Sequence, residues 1–344
     1  MSIHLDRHAQ QPRRSGGPAA PLRMFRVGLV ILGVLVATST VRSVELQAQP
    51  ARQSVHAATG WVYEIAQHVN TPRGALVLMP GFGAGFADFS ETANSAPHRS
   101  VLADSLASRG IVLVLVAPPS GVLFGGESHM QALEATITEA LRTVSAAALP
   151  LAIGGFSAGG TDAILFAERC AGEKCVMPHM VRAVFAVDAP LDWYRLWDNA
   201  MVVLRNRPPG ANMDEARTIQ VALEARLGRN PTPTSRRYLL SSPLASKARD
   251  GGNARTLSAM AVRAYTEPDI QWWMENRSAD YYGMNALDAA SLIRHLKRLG
   301  NTQAELIVTT ERGYRADGSR HPHSWSIVDQ RDLAQWLALH LAPR

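Results

Sequence analysis

Short apolar runs alternate with stretches of helical period along most of the chain. Residues 60–69 alternate apolar and polar positions, the two-residue period of a half-buried strand. Residues 75–79 form a short apolar run that stops at Pro80-Gly81. Residues 111–117 are continuously apolar and rich in β-branched side chains, as expected of a strand covered on both faces. Residues 151–153 and 183–187 read the same way, and 260–265 and 304–309 complete the set. Between them, Leu102 and Leu106 before Gly110, and Leu133, Ile137, Leu141 and Val144, recur at helical spacing. Leu292, Leu296 and Leu299, closed by Gly300, predict another helix, and Leu333, Trp336, Leu337 and Leu341 a last one.

Buried strands separated by helices predict an α/β fold, a mainly parallel central sheet flanked by helices. Such a sheet takes its ligand at the carboxyl ends of its strands. One segment, about 190–258, breaks the alternation. It contains no buried strand, carries Pro208-Pro209-Gly210, Pro231-Thr-Pro233 and Gly251-Gly252, and has a helix-like run at 213–227. It is too long for a single loop. It reads as a largely helical insertion, either a lid above the strand ends or additional scaffold.

Composition changes this picture mainly at the N-terminus. With 344 residues, 47% hydrophobic and 19% charged, the chain is neither disordered nor collagen-like. The net charge of +6 invites a nucleic-acid reading. Residues 1–48, however, hold six arginines against Asp6 and Glu45 and so carry four of those charges. With only +2 on the rest and no basic stripe, nucleic-acid binding is set aside. The basic stretch runs into an apolar segment at 27–37, the arrangement of an export signal. That segment is shorter than the roughly 18–20 residues of a comfortable membrane span. Small-residue cleavage sites end at Ser39 and Ala48, and Met24 would start a more compact signal. The expectation is an exported protein, periplasmic or secreted. If the segment is not cleaved, residues 24–41 would be its membrane anchor and its one link to a membrane. Residues 49–344 then form the functional domain. Two cysteines exclude a disulfide-rich scaffold. In an oxidising compartment Cys170 and Cys175 could bridge, or they could remain free thiols. No group of residues at metal-ligand spacing occurs, so no metal or other cofactor is expected.

The sharpest motif is Gly155-Phe156-Ser157-Ala158-Gly159, between the strand at 151–153 and a helix-like run from Gly160. Gly-x-Ser-x-Gly in that setting puts the serine on a tight strand-to-helix turn, its hydroxyl exposed at the strand's end. By this motif and by the order of its elements from about residue 60, the chain resembles the α/β-hydrolase superfamily. The resemblance implies a serine hydrolase with a triad in the chain order Ser, acid, His. Ser157 would be the nucleophile. The backbone N–H groups of Phe82, after the early strand, and Ala158 would form the oxyanion hole. The acid is expected just past the strand that follows the insertion, which matches Asp269. Glu267 is its rival, and Asp188 and Asp192, after the strand at 183–187, are a further possibility. The base is expected in the loop before the last helix, where His323 is followed by Ser-Trp. His321 is the alternative. Trp193, Trp197, Trp272 and Trp325 fall just past strand ends and are candidates for the pocket wall, or for packing. The expected substrate is a small carboxylic ester. A peptidase or amidase, or a non-catalytic ligand-binding relative, would have the same fold. The sequence does not specify an oligomeric state.

Overall fold

In β3 (Gly74–Met79) successive side chains serve two different cores. Ala75, Val77 and Met79 enter one cluster, and Leu76 and Leu78 enter the other. This is the two-residue period of a strand whose faces are both covered. Val112, Val114 and Val116 in β4 (Ile111–Ala117) join the first cluster, and Leu113 and Leu115 the second. The same alternation runs through β5 (Leu151–Phe156), β6 (Val181–Val187) and β7 (Ala261–Thr266). Each fully buried valine or leucine here contributes about 1.5–3 kcal/mol relative to exposure.

The computed structural model describes residues 54–67, 69–84, 86, 101–177, 181–315 and 317–342. Residues 1–48, where an export signal, its cleavage sites and a possible anchor at 24–41 are expected, lie outside the described residues. Two short strands, β1 (Val55–His56) and β2 (Val62–Ile65), and the edge strand β8 (Ala304–Val308) complete an eight-stranded sheet. Its order is β1-β2-β4-β3-β5-β6-β7-β8. β1, β2 and β4 pair antiparallel, and β3 to β8 are parallel. Helices Glu127–Thr143, Ala158–Ala171 and Ala286–Arg298 cover one face. A helical stretch at 101–107 and the helix Gln330–Leu341 cover the other.

The chain leaves β3 for β4 on one side and returns to β5 on the other. Strand order therefore reverses beside β3, where parallel sheets open a crevice at their carboxyl ends. Between β6 and β7 the chain forms three helices, Trp193–Asn206, Met213–Leu227 and Arg236–Ser241, and a 3-10 segment, Gly252–Ala259. Asp192, Asn212 and Ser235 start the three helices by accepting backbone N–H groups of the first turn. Trp193, Leu196, Trp197, Leu223, Leu227 and Tyr238 pack there into a third cluster, with Phe124. Cys170 and Cys175, at the end of the helix Ala158–Ala171, are joined by a disulfide, with Cα atoms 4.9 Å apart.

Candidate active site

Ser157 sits between β5 and the helix Ala158–Ala171 with φ of +53°. A left-handed backbone at a non-glycine residue is strained, and it persists only where the surroundings hold it. Here the Ser157 N–H donates to the Val187 carbonyl at 2.9 Å, and the Ser157 carbonyl accepts from Thr161 at 3.1 Å. The flanking glycines are required by close backbone approach. A Cβ on Gly155 would lie 2.3 Å from the Gly159 carbonyl carbon, and one on Gly159 2.3 Å from the Pro80 oxygen.

Ser157 Oγ lies 3.0 Å from His323 Nε2, and His323 Nδ1 lies 2.6 Å from Asp188 Oδ2. An ionised carboxylate only accepts, so Nδ1 carries the proton and Nε2 is left to accept from the serine hydroxyl. The imidazole packs against Phe156, with ring centroids 4.7 Å apart. Asp188 is the first residue after β6 and is buried. Its second oxygen accepts from Thr266 Oγ1 at 3.2 Å.

The expected partner, Asp269, does not meet the imidazole; Asp188 does. Asp269 is the N-cap of the helix Ile270–Arg277, accepting the Trp272 N–H at 3.0 Å, and pairs with Arg320. The Trp272 N–H and the Arg320 guanidinium hold its carboxyl below the usual range. Glu267 accepts from the other arm of Arg320 at 2.8 Å and from Thr309 Oγ1 at 2.5 Å. Both carboxylates after β7 are thus committed to the loop that carries the histidine, and neither bonds to the imidazole. Asp192 is occupied as a helix cap and accepts from Tyr238 Oη at 2.9 Å. The reason lies in the sheet: β6 is the strand next to β5, so its carboxyl end opens directly beside Ser157, whereas β7 lies one strand farther out.

His323 occupies the expected position, and His321 does not compete with it. His321 Nδ1 accepts the His323 backbone N–H at 3.1 Å, and its ring lies against Trp272, with centroids 4.4 Å apart. Burial, then the nearby His323, Arg315 and Arg277, push its pKa down to about 3, so His321 is neutral in ordinary buffers. Its bond holds the backbone, not the ring, of the histidine two residues on.

Ser157 and His323 open into a cleft of about 630 Å³ that also contacts Gly81, Phe82 and Ala158. A Cβ on Gly81 would lie 3.4 Å from the Ser157 Cβ, so the turn after β3 runs directly beside Ser157. Ala158 begins a helix, and the first N–H groups of a helix have no partner within it. Leu196, Ala200, Val203 and Ile219 of the insertion form an apolar part of the cleft wall, continued by Phe124 and Trp273, beside the polar Asn199, Asp214, Glu215 and Thr218.

None of the four expected tryptophans lines this cleft. Trp193 and Trp197 are buried in the insertion's own cluster, Trp325 packs near Phe185 under the sheet, and Trp272 stacks on His321. A large ring near a strand end has packing partners on several sides, and in three of the four cases burial took it. Trp273, one residue along, faces the cleft instead. Among the described residues no group of three or more His, Cys, Asp or Glu is placed to hold a metal ion.

Solved structures share this arrangement of sheet and helices. Carboxyl esterase 2 from Tuber melanosporum superposes with a TM-score of 0.53 at 14% identity, covering 89% of this chain and 90% of that one. MPT51 (FbpC1) from Mycobacterium tuberculosis gives 0.52 at 14% identity over 85% of this chain and all of that one. A putative esterase from Staphylococcus aureus gives 0.50 at 11% identity, covering 86% and 84%. The chain has the α/β-hydrolase fold. No family model matches the sequence, and no curated protein does either. Within the α/β-hydrolase fold, this chain differs from the sequence-based expectation in taking its histidine partner from the end of β6 rather than β7.

Proposed function

We propose that the chain is a serine hydrolase of carboxylic esters. The observation that carries this reading is the hydrogen-bonded series Ser157–His323–Asp188, opening into a cleft beside Phe82 and Ala158. Ser157 Oγ attacks the ester carbonyl while His323 Nε2 takes its proton. Asp188 holds the tautomer and stabilises the imidazolium that forms. The N–H groups of Phe82 and Ala158 are assigned to the carbonyl oxygen as it gains charge, and prealigned donors of this kind stabilise the transition state most. His323 then protonates the departing alcohol. Water, activated by the same imidazole, releases the acid from the acyl-serine.

The apolar wall from the insertion supports an ester with a hydrocarbon acyl group, in a cleft of the size that takes a small molecule. The fungal carboxyl esterase 2 and the staphylococcal putative esterase, which share the fold, point the same way. We read residues 1–48 as an export segment. The Cys170–Cys175 disulfide favours an oxidising compartment. Cell fractionation of a tagged full-length chain tests that reading, and recovery only with soluble intracellular protein would overturn it.

The test of function is a fluorophosphonate probe with a panel of p-nitrophenyl esters of increasing acyl length. Labelling of Ser157, lost in Ser157→Ala together with hydrolysis of the panel, is the expected result. No labelling, with hydrolysis no faster than in Ser157→Ala, would remove the enzyme reading.

A further inference from the structure

Asp188, like Ser157, has a left-handed backbone, with φ of +44°. A β6 end in ordinary extended geometry would direct this side chain elsewhere, so the groups that hold the residue decide where its carboxylate points. Its N–H donates to the Tyr265 carbonyl at 2.9 Å. Its carbonyl accepts from Asn285 Nδ2, also at 2.9 Å. The peptide groups on both sides of the strained residue are therefore fixed, one by β7 and one by a side chain.

Asn285 is itself held. Its Oδ1 accepts from Arg195 Nη2 at 3.3 Å. Arg195 binds Asp288 through two bonds, Nε to Oδ1 at 2.5 Å and Nη2 to Oδ2 at 2.8 Å, and its Nη1 donates to the Tyr282 carbonyl at 2.7 Å. Asp288 Oδ2 also accepts the N–H groups of Leu191 and Asp192 at 2.8 and 3.0 Å, just downstream of Asp188. Both members of the ion pair are buried, with 5% and 2% of their side chains exposed. Every polar atom of this pair that the surroundings reach is bonded, the condition under which a buried pair specifies a geometry. Arg195 stands on the helix Trp193–Asn206, whose Leu196, Ala200 and Val203 form part of the cleft wall.

We propose that Asn285, clamped by the buried Arg195–Asp288 pair, is a positioning residue for Asp188, and that through it the first helix of the insertion sets the geometry of the acid. This rests on the reading of Asp188 as the acid of the triad. The wall that receives the acyl group and the carboxylate that orients His323 then belong to one hydrogen-bonded unit.

The test is a double-mutant cycle between Asn285 and Asp188, read as kcat and KM on p-nitrophenyl acetate. Asn285→Ala removes both bonds. Asn285→Asp keeps the acceptor for Arg195 and removes the donor to Asp188, so it separates the hold on Asp188 from the clamp. Both variants are expected to lower kcat by about ten- to a hundredfold, as a small misplacement of a catalytic group does, with KM unchanged. In an Asp188→Asn background the Asn285 changes should cost less than about twofold, because the group they position no longer works. Undiminished kcat in both Asn285 variants while Asp188→Asn is crippled would overturn the inference and leave the proposed function standing. So would a rise in KM alone, which would make Asn285 a substrate contact, or losses that simply multiply. Wild-type kcat in Asp188→Asn would instead remove the acid assignment on which the inference stands. Melting temperatures of all variants identify any that fail to fold, and Asn285→Asp, which matches asparagine in shape, keeps the cycle usable if the alanine variant does.

Discussion

His323 and Asp188, 135 positions apart in sequence, meet at 2.6 Å between Nδ1 and Oδ2. Asp269, 54 positions from the same histidine, is turned away onto Arg320 and the first turn of its own helix.

This contrast predicts opposite behaviour for two aspartates. Asp188→Asn should lower kcat by about 10³–10⁴-fold with little change in KM, because the imidazole then takes the wrong tautomer. Asp269→Asn should leave kcat within a few-fold and cost no more than about 1 kcal/mol of stability, from the lost charge partner of Arg320, since asparagine caps a helix about as well as aspartate. Steady-state kinetics with urea unfolding of both variants checks this, and a larger kcat loss at Asp269 would reverse the assignment.

The glycines beside Ser157 predict a folding defect more than a kinetic one. Gly159→Ala places a methyl group 2.3 Å from the Pro80 oxygen, on backbone that cannot rotate aside. We expect a destabilisation of about 3 kcal/mol, read as a lower urea midpoint, with activity lost in parallel.

His321 makes stability depend on pH. Its pKa is about 3 in the folded protein against an ordinary value of 6.5. The unfolded chain therefore binds a proton that the native one refuses between those values, and stability falls as pH drops from about 6.5 toward 3. His321→Gln removes this contribution, so urea midpoints measured between pH 7 and pH 4 should decline less steeply than in the wild type.

Two tryptophans should separate packing from binding. Trp193 is fully buried in the insertion, and Trp193→Ala should cost about 3–5 kcal/mol. Trp273 is only half-buried and lines the cleft. Trp273→Ala should leave stability within about 1 kcal/mol while changing the order of kcat/KM across acyl lengths.

The disulfide closes a very short loop. Chain-entropy arguments give about 2 kcal/mol for a loop of this length. Cys170→Ser with Cys175→Ser should lower the urea midpoint accordingly, and reducing agent should have no further effect on the double variant.

Much of this site could be read in the sequence because it is local. Gly155, Ser157, Ala158 and Gly159 form one turn, whose strain and backbone contacts are written into five consecutive residues. The two-faced strands reveal themselves by continuous apolar runs, and these predict the parallel sheet and its crevice without further information. Even His323 follows from chain order, since only two histidines lie between the last strand and the last helix. The acid does not follow in this way. Asp188, Asp192, Glu267 and Asp269 all stand just past a strand end, with the same charge and nearly the same length of side chain. Which of them meets the imidazole depends on which strand lies beside β5, and on where Arg320, Tyr238 and the helix starts draw the others. Apart from the helix caps, those are contacts between residues 46 to 135 positions apart, as in Tyr238 with Asp192 or His323 with Asp188. No local pattern records them. The tertiary structure satisfied three of the carboxylates elsewhere and left the fourth, Asp188, pinned in a left-handed turn, to face the histidine.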